Sequence, residues 1–273
     1  MADTGGFLTR TSMWGGVQRG LGSTEERFGW LLDVGAAVEL YQWPSSSLLA
    51  VSGMQLNADT RNEISFNPSG VTWEEHLIYA TRGSSINWQL GFAQRCRHDV
   101  DNLDIKGATG EAQQRTLIYS SLSGKLIPSL LTLSNATDLR SWFSGDLYVI
   151  SQDYRLPKST NAVLPNVERL AWSAGANAEL ASSNKHAIGA YLHIAMHLSA
   201  FGDTTGILRK FSTIDRLHLD ARIETGIMIP GRGGNFKLFA GFEELSDDGA
   251  MPTPESNNYF FIGFRITGRD LFN

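Results

Sequence analysis

The sequence of 273 residues has few charges, one cysteine and no long apolar run. Because Cys96 has no second cysteine to pair with, an internal disulfide is excluded. No stretch reaches the roughly 18 uninterrupted apolar residues that a membrane-spanning helix needs, so a helical membrane bundle is excluded. Runs of lysine and arginine are also absent, and the net charge is -5. A nucleic-acid partner requires a concentrated basic face, so we expect no nucleic acid to bind.

The N-terminus lacks the basic segment followed by an apolar segment that marks a signal peptide. A secreted or membrane location therefore requires that a signal peptide has been removed. Charged residues make up only 19% of the chain, which is low for a soluble surface. No linker rich in proline, glycine and serine divides the sequence, and we expect residues 1–273 to form a single domain.

Apolar residues recur at every second position along most of the chain, the period of a β-strand with one apolar face. The pattern is clear over 28–41 and sharpest over 214–229, where apolar odd positions alternate with charged even positions such as Arg216 and Arg222. We predict further strands at 187–198 and 259–267, and weaker ones near 48–58, 72–82, 85–97, 114–122, 140–154, 167–181 and 235–245.

The connections between these strands alternate in length. Outer-membrane barrels have this asymmetry, with short periplasmic turns, longer external loops and an even number of strands. A strand is then required before residue 28, and 5–14 is the candidate, which gives about twelve. The segment 123–139 fits neither a tight turn nor a clean strand, so the count is open there. Short turns are predicted near 44–46, 82–84, 183–185 and 231–234, and longer links near 59–70, 99–112, 156–165, 201–213 and 247–256.

The sequence therefore resembles bacterial outer-membrane proteins, and we predict an all-β fold, an antiparallel transmembrane barrel. The C-terminal segment resembles the closing strand of such proteins through Phe260, Phe264 and Phe272, although Asn273 is the last residue. The resemblance implies an outer-membrane location and contact with lipid. A soluble ligand-binding β-protein is the alternative, since alternation does not say whether the apolar face points inward. Interfacial girdles are predicted from Trp30, Trp43, Trp73, Trp88, Trp142 and Trp172.

If the apolar faces meet lipid, the opposite faces line a lumen that contains both signs of charge. Such a lumen predicts a porin-like polar pathway for a small charged or sugar-like solute, or closure by ion pairs between neighbouring strands. The lumen-lining candidates are Asp33, Glu39, Arg95, Arg97, His193, His197, Arg216, His218, Asp220, Arg222, Glu224 and Arg265, together with Lys237 and Glu243.

Two motifs bear on chemistry. His193 and His197 have the spacing of a zinc-protease helix, but Ile194 replaces its glutamate and the local period is two, so we expect no metal and no cofactor. Residues 95–107 resemble the His-x-Ser-Asn segment of outer-membrane phospholipases and lipid A deacylases, with His98 as the histidine. Val100 stands where the serine would, which removes the attacking atom at that position.

The loop after His98 is acidic. Asp99, Asp101 and Asp104 offer oxygen ligands to calcium, whereas a solvated acidic loop is the simpler interpretation. The leading functional expectation is a non-enzymatic outer-membrane barrel, either a narrow solute channel or a structural or accessory component of the envelope. A lipid-acting hydrolase that uses His98 is the second expectation. The sequence does not fix the oligomeric state.

Overall fold

The structure, a computed structural model, describes residues 5–22, 29–60, 65–83, 85–99, 114–134, 137–156, 162–163, 169–182, 188–202, 214–245, 257–268 and 271. No helix long and apolar enough to span a membrane occurs among these residues.

Twelve long strands form the fold, and each pairs with the next in antiparallel register. Pairing of the last strand with the first, from Phe260 opposite Leu21 to Thr267 opposite Trp14, closes the sheet into a barrel. The predicted all-β class, the barrel and the count of twelve are confirmed. In chain order, β1 to β12 are Thr11–Leu21, Trp30–Gln42, Ser46–Asp59, Asn67–Thr81, Ile86–Asp99, Gln114–Pro128, Thr137–Leu156, Arg169–Ser182, Gly189–Gly202, Ile214–Gly231, Gly234–Leu245 and Asn257–Gly268.

The first strand differs from its prediction at 5–14, because β1 spans Thr11–Leu21. Its central glycines, Gly15 and Gly16, interrupt the alternation of apolar and polar residues. The predicted strand therefore ended at residue 14, before the true end of β1. A two-residue strand, Gly6–Phe7, continues the same pairing with β2 beyond Leu8, whose positive φ of 49° breaks the ladder. Pairing with β2 and β12, which the sequence does not display, fixes the position of β1.

The ambiguous segment 123–139 contains the end of β6, a short strand and the start of β7. The short strand, Leu131–Ser134, pairs back on β7 from Leu131 opposite Leu139. This connection is therefore longer than the other turns at its end of the barrel. We call that end, which has the links 43–45, 82–85 and 232–233, the turn end, and the opposite end the loop end.

Alternation along each strand separates an apolar outer face from a polar inner face. On β10, Leu217 and Leu219 are 56% and 49% exposed, whereas Glu224 is 1% exposed. On β2 the apolar even positions likewise face outward, while Glu39 is fully buried. Burial here means burial inside the barrel, because every strand belongs to the same closed sheet.

Aromatic side chains form an outer belt at the turn end. Tyr41 contacts Trp43 with 4.6 Å between ring centroids, Trp43 contacts Tyr79 at 6.1 Å, and Tyr79 contacts Trp88 at 5.8 Å. Such belts mark the two membrane interfaces of outer-membrane barrels. Trp142 departs from the predicted girdle, because its ring stacks on inward-facing His193 with 5.5 Å between centroids.

Candidate functional site

Ion pairs fill the turn end of the lumen around the buried carboxylate of Glu39. Arg10 donates hydrogen bonds to both of its oxygens at 2.8 Å, and Arg82 donates one at 3.0 Å. Ser47 also donates to this carboxylate. Since these groups come from β2, β3 and the segments that flank β1 and β4, the cluster ties neighbouring strands together. We call Arg10, Glu39, Ser47 and Arg82 the turn-end cluster.

Leu271, beyond the last strand, packs beside the turn-end cluster inside the barrel. Its side chain is 4% exposed and forms an apolar group with Leu49, Ala37 and Ala80. Its carbonyl oxygen accepts a hydrogen bond of 3.0 Å from Arg10. The C-terminal segment therefore contributes a side chain to the filling of the lumen, a role that the alternating pattern of the strands does not show.

A second group of charges lies around Glu224 near the middle of the lumen. Arg222 donates to this carboxylate at 2.6 Å, Tyr191 at 2.7 Å and Arg265 at 3.3 Å. A carboxylate buried away from water is tolerated when paired cations and hydrogen bonds compensate its desolvation, as they do here. The pairing joins β9, β10 and β12.

Arg222 extends this group toward the loop end and across the barrel. It donates to Glu243 at 2.9 Å and to Gln18 on β1 at 2.9 Å, while Tyr259 donates to Glu243 at 2.8 Å. The guanidinium also lies 4.0 Å from the ring centroid of Phe261. These contacts hold the guanidinium of Arg222 in one place, so its charge is fixed in the wall of the lumen.

Lys237 and Glu179 form another bridge, at 2.6 Å, between β11 and β8. Two strands, β9 and β10, separate these partners in the sheet, so the pair spans part of the interior. The ammonium of Lys237 lies 4.2 Å from the ring centroid of Tyr191, a cation–π contact.

A cavity of about 280 Å³ lies between the middle of the barrel and its loop end. Both signs of charge border it, and so do amides and apolar groups, so it offers donors and acceptors to a small polar molecule. Two residues that were predicted to line the lumen, Asp33 and Arg95, border this cavity and lie outside the Glu224 group. Asp33 accepts a hydrogen bond of 3.3 Å from Trp14, and Arg95 contacts Glu74 at 3.0 Å. The polar lining consists of Gln18, Asp33, Gln55, Asn57, Arg95, Arg222, Glu243, Tyr259 and Arg265.

Other predicted residues lie apart from this cavity. Arg97 is buried, and its guanidinium packs over Gly70, where a Cβ would lie 3.2 Å from it. His197 and Asp220 approach each other at 3.9 Å. His218 meets Phe201 edge-on with 5.3 Å between ring centroids, two residues along β10 from Arg216.

The two histidines considered for metal binding have different surroundings. His193 stacks on Trp142, whereas His197 lies beside Asp220 and Ser199. In the part of the chain that the structure describes, no three histidine, cysteine or carboxylate side chains are grouped to hold a metal ion. Val100, Asp101 and Asp104 fall outside the described residues.

His98 lies on the outer face of β5, and a thiol is beside it. The Sγ of Cys96 is 2.8 Å from Nε2 of His98, and the imidazole meets the ring of Trp73 edge-on with 5.4 Å between centroids. Sequence reasoning considered only a serine two residues after His98. The alternation of side chains along a strand could have shown the thiol, since residues 96 and 98 lie on the same face.

The lumen also contains partners that the sequence analysis missed. Arg10 and Arg82 lie within the predicted strands 5–14 and 72–82 but were not among the predicted lumen residues, and in the structure they lie just outside β1 and β4. Tyr191 was counted with neither the apolar nor the charged row. Pairing of neighbouring strands brings these groups to Glu39 and Glu224 across 29 to 43 residues of sequence.

Comparison with known proteins supports the fold. LpxR from Salmonella typhimurium is similar in structure with a TM-score of 0.51 and 10% identity, covering 95% of this chain and 100% of that protein. The translocator domain of the autotransporter NalP from Neisseria meningitidis matches with a TM-score of 0.45 and 11% identity, covering 94% and 88%. Outer membrane phospholipase A from Escherichia coli matches with a TM-score of 0.43 and 9% identity, covering 96% and 93%. No protein-family profile and no curated sequence matches the chain. The fold is that of the bacterial outer-membrane β-barrels.

Proposed function

We propose that this protein is a barrel of the bacterial outer membrane whose lumen is closed by ion pairs, and that it serves the envelope as a structural or accessory component. The observation that carries the proposal is the turn-end cluster. Glu39 is fully buried between Arg10 and Arg82, and Leu271 fills the space beside it. An open pore would keep such groups in contact with water.

The exterior supports the membrane location. Large apolar side chains on the outer face, including Leu217, Leu219 and Ile262, are about half exposed, and an aromatic belt surrounds part of the turn end. Exposure of so many apolar side chains to water is unfavourable, whereas lipid tails are a matching environment. Removal of a signal peptide stays a prediction from the sequence.

A narrow solute channel is the second candidate, and the cavity of about 280 Å³ favours it. Arginines and carboxylates in its lining match the charged or sugar-like solute expected from the sequence. For this function, the turn-end cluster would have to open. Arg222 and Arg216 lie on the inward face of β10, so their charges would influence which ions enter.

Conductance in planar lipid bilayers distinguishes the two functions. We expect no steady conductance from the folded wild-type protein. The triple variant Arg10→Ala, Arg82→Ala, Leu271→Ala removes two arginines and one leucine from the turn end and should conduct.

The matched control removes the same residue types from positions outside the turn-end cluster and should not conduct. It is the triple variant Arg19→Ala, Arg232→Ala, Leu219→Ala. Arg19 lies over the ring of Trp30 with 4.7 Å to its centroid, Arg232 is exposed in the link after β10, and Leu219 is on the outer face.

Steady conductance from the wild-type protein would support the channel and contradict the closed lumen. In that event, the double variant Arg216→Glu, Arg222→Glu should shift ion selectivity toward cations, because two fixed positive charges become negative. Folding of every variant is checked by the heat-dependent mobility of the barrel in gel electrophoresis.

A further inference from the structure

The cavity in the lumen is bordered by a carboxylate that lacks an ion-pair partner. Asp33, on β2, accepts one side-chain hydrogen bond, 3.3 Å long, from the indole N–H of Trp14. Among the residues that the structure describes, no arginine, lysine or histidine forms an ion pair with Asp33. Because the indole is neutral, it leaves the negative charge of Asp33 uncompensated. A partly buried charge is ordinarily paired, so this carboxylate requires an explanation.

The other charges around the cavity are matched. Each of the three arginines that border it has a carboxylate of its own. These pairs are Arg95 with Glu74 at 3.0 Å, Arg222 with Glu243 at 2.9 Å and Arg265 with Glu224 at 3.3 Å. Three positive and three negative charges therefore cancel, and Asp33 adds a fourth negative charge. The cavity thus has one negative charge in excess.

Strand pairing explains why no arginine of the barrel neutralises Asp33. Gly16, on β1, lies opposite Asp33 on one side and opposite Arg265 on the other. Since neighbouring strands are about 4.8 Å apart, the backbones of Asp33 and Arg265 are roughly 10 Å apart. Gly16 has no side chain to fill this interval, and a Cβ there would lie 3.5 Å from Cγ of Arg265. The gap leaves room for a bound molecule beside Asp33.

The rest of the lining fits a small organic ammonium compound. Gln55, opposite Asp33 on β3, and Asn57 bring amide oxygens, which accept hydrogen bonds from an ammonium group. Leu31 and Phe239 offer apolar surface to a short alkyl chain. An anion would be repelled by Asp33 and would find each bordering arginine already paired. Calcium takes six to eight oxygen ligands, often from several carboxylates, whereas Asp33 is the single unmatched carboxylate of this lining.

We infer that the cavity binds a small organic cation with one positive charge, and that its ammonium group pairs with Asp33. Attraction between the two charges is strong because the wall of the barrel has a lower dielectric constant than water. The inference requires the cavity and neither of the two proposed functions. In a closed barrel the cation is a bound ligand, and in a channel Asp33 selects the sign of the solute's charge.

The test is a titration of the full chain, labelled with ¹⁵N-tryptophan and folded in detergent micelles. The probe is n-butylammonium chloride, and n-butanol and sodium butyrate are the neutral and anionic compounds of the same chain length. Trp14 donates to Asp33, so its indole N–H resonance reports on the site, and its loss in Trp14→Phe identifies it. We expect n-butylammonium to shift this resonance saturably, with an affinity at least about tenfold higher than that of butanol or butyrate.

Asp33→Asn removes the charge and keeps the size of the side chain. The same titration should show an affinity for n-butylammonium at least about tenfold lower than in the wild type. Asp146→Asn is the matched control and should bind like the wild type. Asp146 is also partly buried, accepts one side-chain hydrogen bond, of 2.9 Å from Ser121, and does not border the cavity.

Stability of the unliganded protein gives a second measurement. Because no cation of the protein depends on Asp33, Asp33→Asn should unfold in urea at the same denaturant concentration as the wild type or at a higher one. A clearly lower concentration would show that Asp33 balances a charge of the protein itself, which contradicts the inference.

Three results of the titration would overturn the proposal. One is equal affinity for n-butylammonium in the wild type and in Asp33→Asn. Another is equal affinity of the wild type for n-butanol. The third is the same shift from potassium chloride at the same concentration, because the cavity would then not select an organic cation. None of these results depends on conductance, so the failure of this proposal and the failure of the closed lumen are distinguishable.

Discussion

The turn end and the loop half of the lumen both contain arginine–carboxylate pairs, but the turn end is filled and the loop half contains a cavity. At the turn end, Glu39 is fully buried and Leu271 fills the space next to it. Toward the loop end, Glu243 and Arg95 border a cavity of about 280 Å³. Both halves contain arginine–carboxylate pairs, so charge alone does not distinguish a filled interior from an open one.

The difference arises from what accompanies the charges. At the turn end, two side chains from outside the strands, Arg10 and Leu271, pack against the inner wall beside Glu39. In the loop half, Arg222 pairs with Glu243 on the adjacent strand and also reaches Gln18 on β1, and a cavity remains beside these groups. What distinguishes the turn end is therefore the presence of side chains from outside the strands, Arg10 and Leu271, in addition to the ion pairs that both halves contain.

The largest expected effect is the loss of the Glu39 carboxylate. Glu39→Ala leaves Arg10 and Arg82 without their shared partner and should destabilise the protein by about 3–5 kcal/mol. Glu243→Ala, in the loop half, should cost only about 1–2 kcal/mol, because Arg222 keeps its contact with Glu224. Urea unfolding in detergent, followed by tryptophan fluorescence, measures both. Equal losses in the free energy of unfolding for the two variants would contradict the difference between the turn end and the loop half.

Truncation of Leu271 should have the next largest effect. Leu271→Ala removes an almost fully buried side chain and leaves a space at the turn end, at a cost of about 2–3 kcal/mol. Leu31→Ala is the matched change in the loop half. Since Leu31 already borders the cavity, it should cost about 1 kcal/mol. The same unfolding measurement applies, and a larger loss from Leu31→Ala would contradict the comparison.

The smallest effect concerns two glycines under the ring of Trp14, where the halves meet. A Cβ at Gly35 would collide with this ring, whereas a Cβ at Gly53 would lie 3.4 Å from it. Gly35→Ala should therefore destabilise by about 1–2 kcal/mol and shift the tryptophan emission. Gly53→Ala should stay within about 0.5 kcal/mol of the wild type. A reversed order would show that Trp14 packs elsewhere.

Most of the strands could be predicted, because each displays the alternation that its two environments impose. The exceptions have physical causes. Gly15 and Gly16 weaken the pattern in β1, and the short strand Leu131–Ser134 is exposed on both faces and pairs with β7. Trp142 was assigned to the outer girdle by its residue type, although its contacts with His193 and Lys125 place it inside.

The sequence by itself determined which side chains share a face, since a strand has a period of two whatever its neighbours are. That period grouped Glu39 with Asp33, separated Leu219 from Arg222, and placed Cys96 on the face of His98. Only the tertiary structure decided which of these groups meet. Pairing of the neighbouring strands β1 to β4 brings Arg10 and Arg82 to Glu39 across 29 and 43 residues of sequence, and closure of the barrel brings Leu271 to Arg10 across 261. The register between strands and the position of the C-terminal segment set such distances, and neither is contained in the pattern of a single strand.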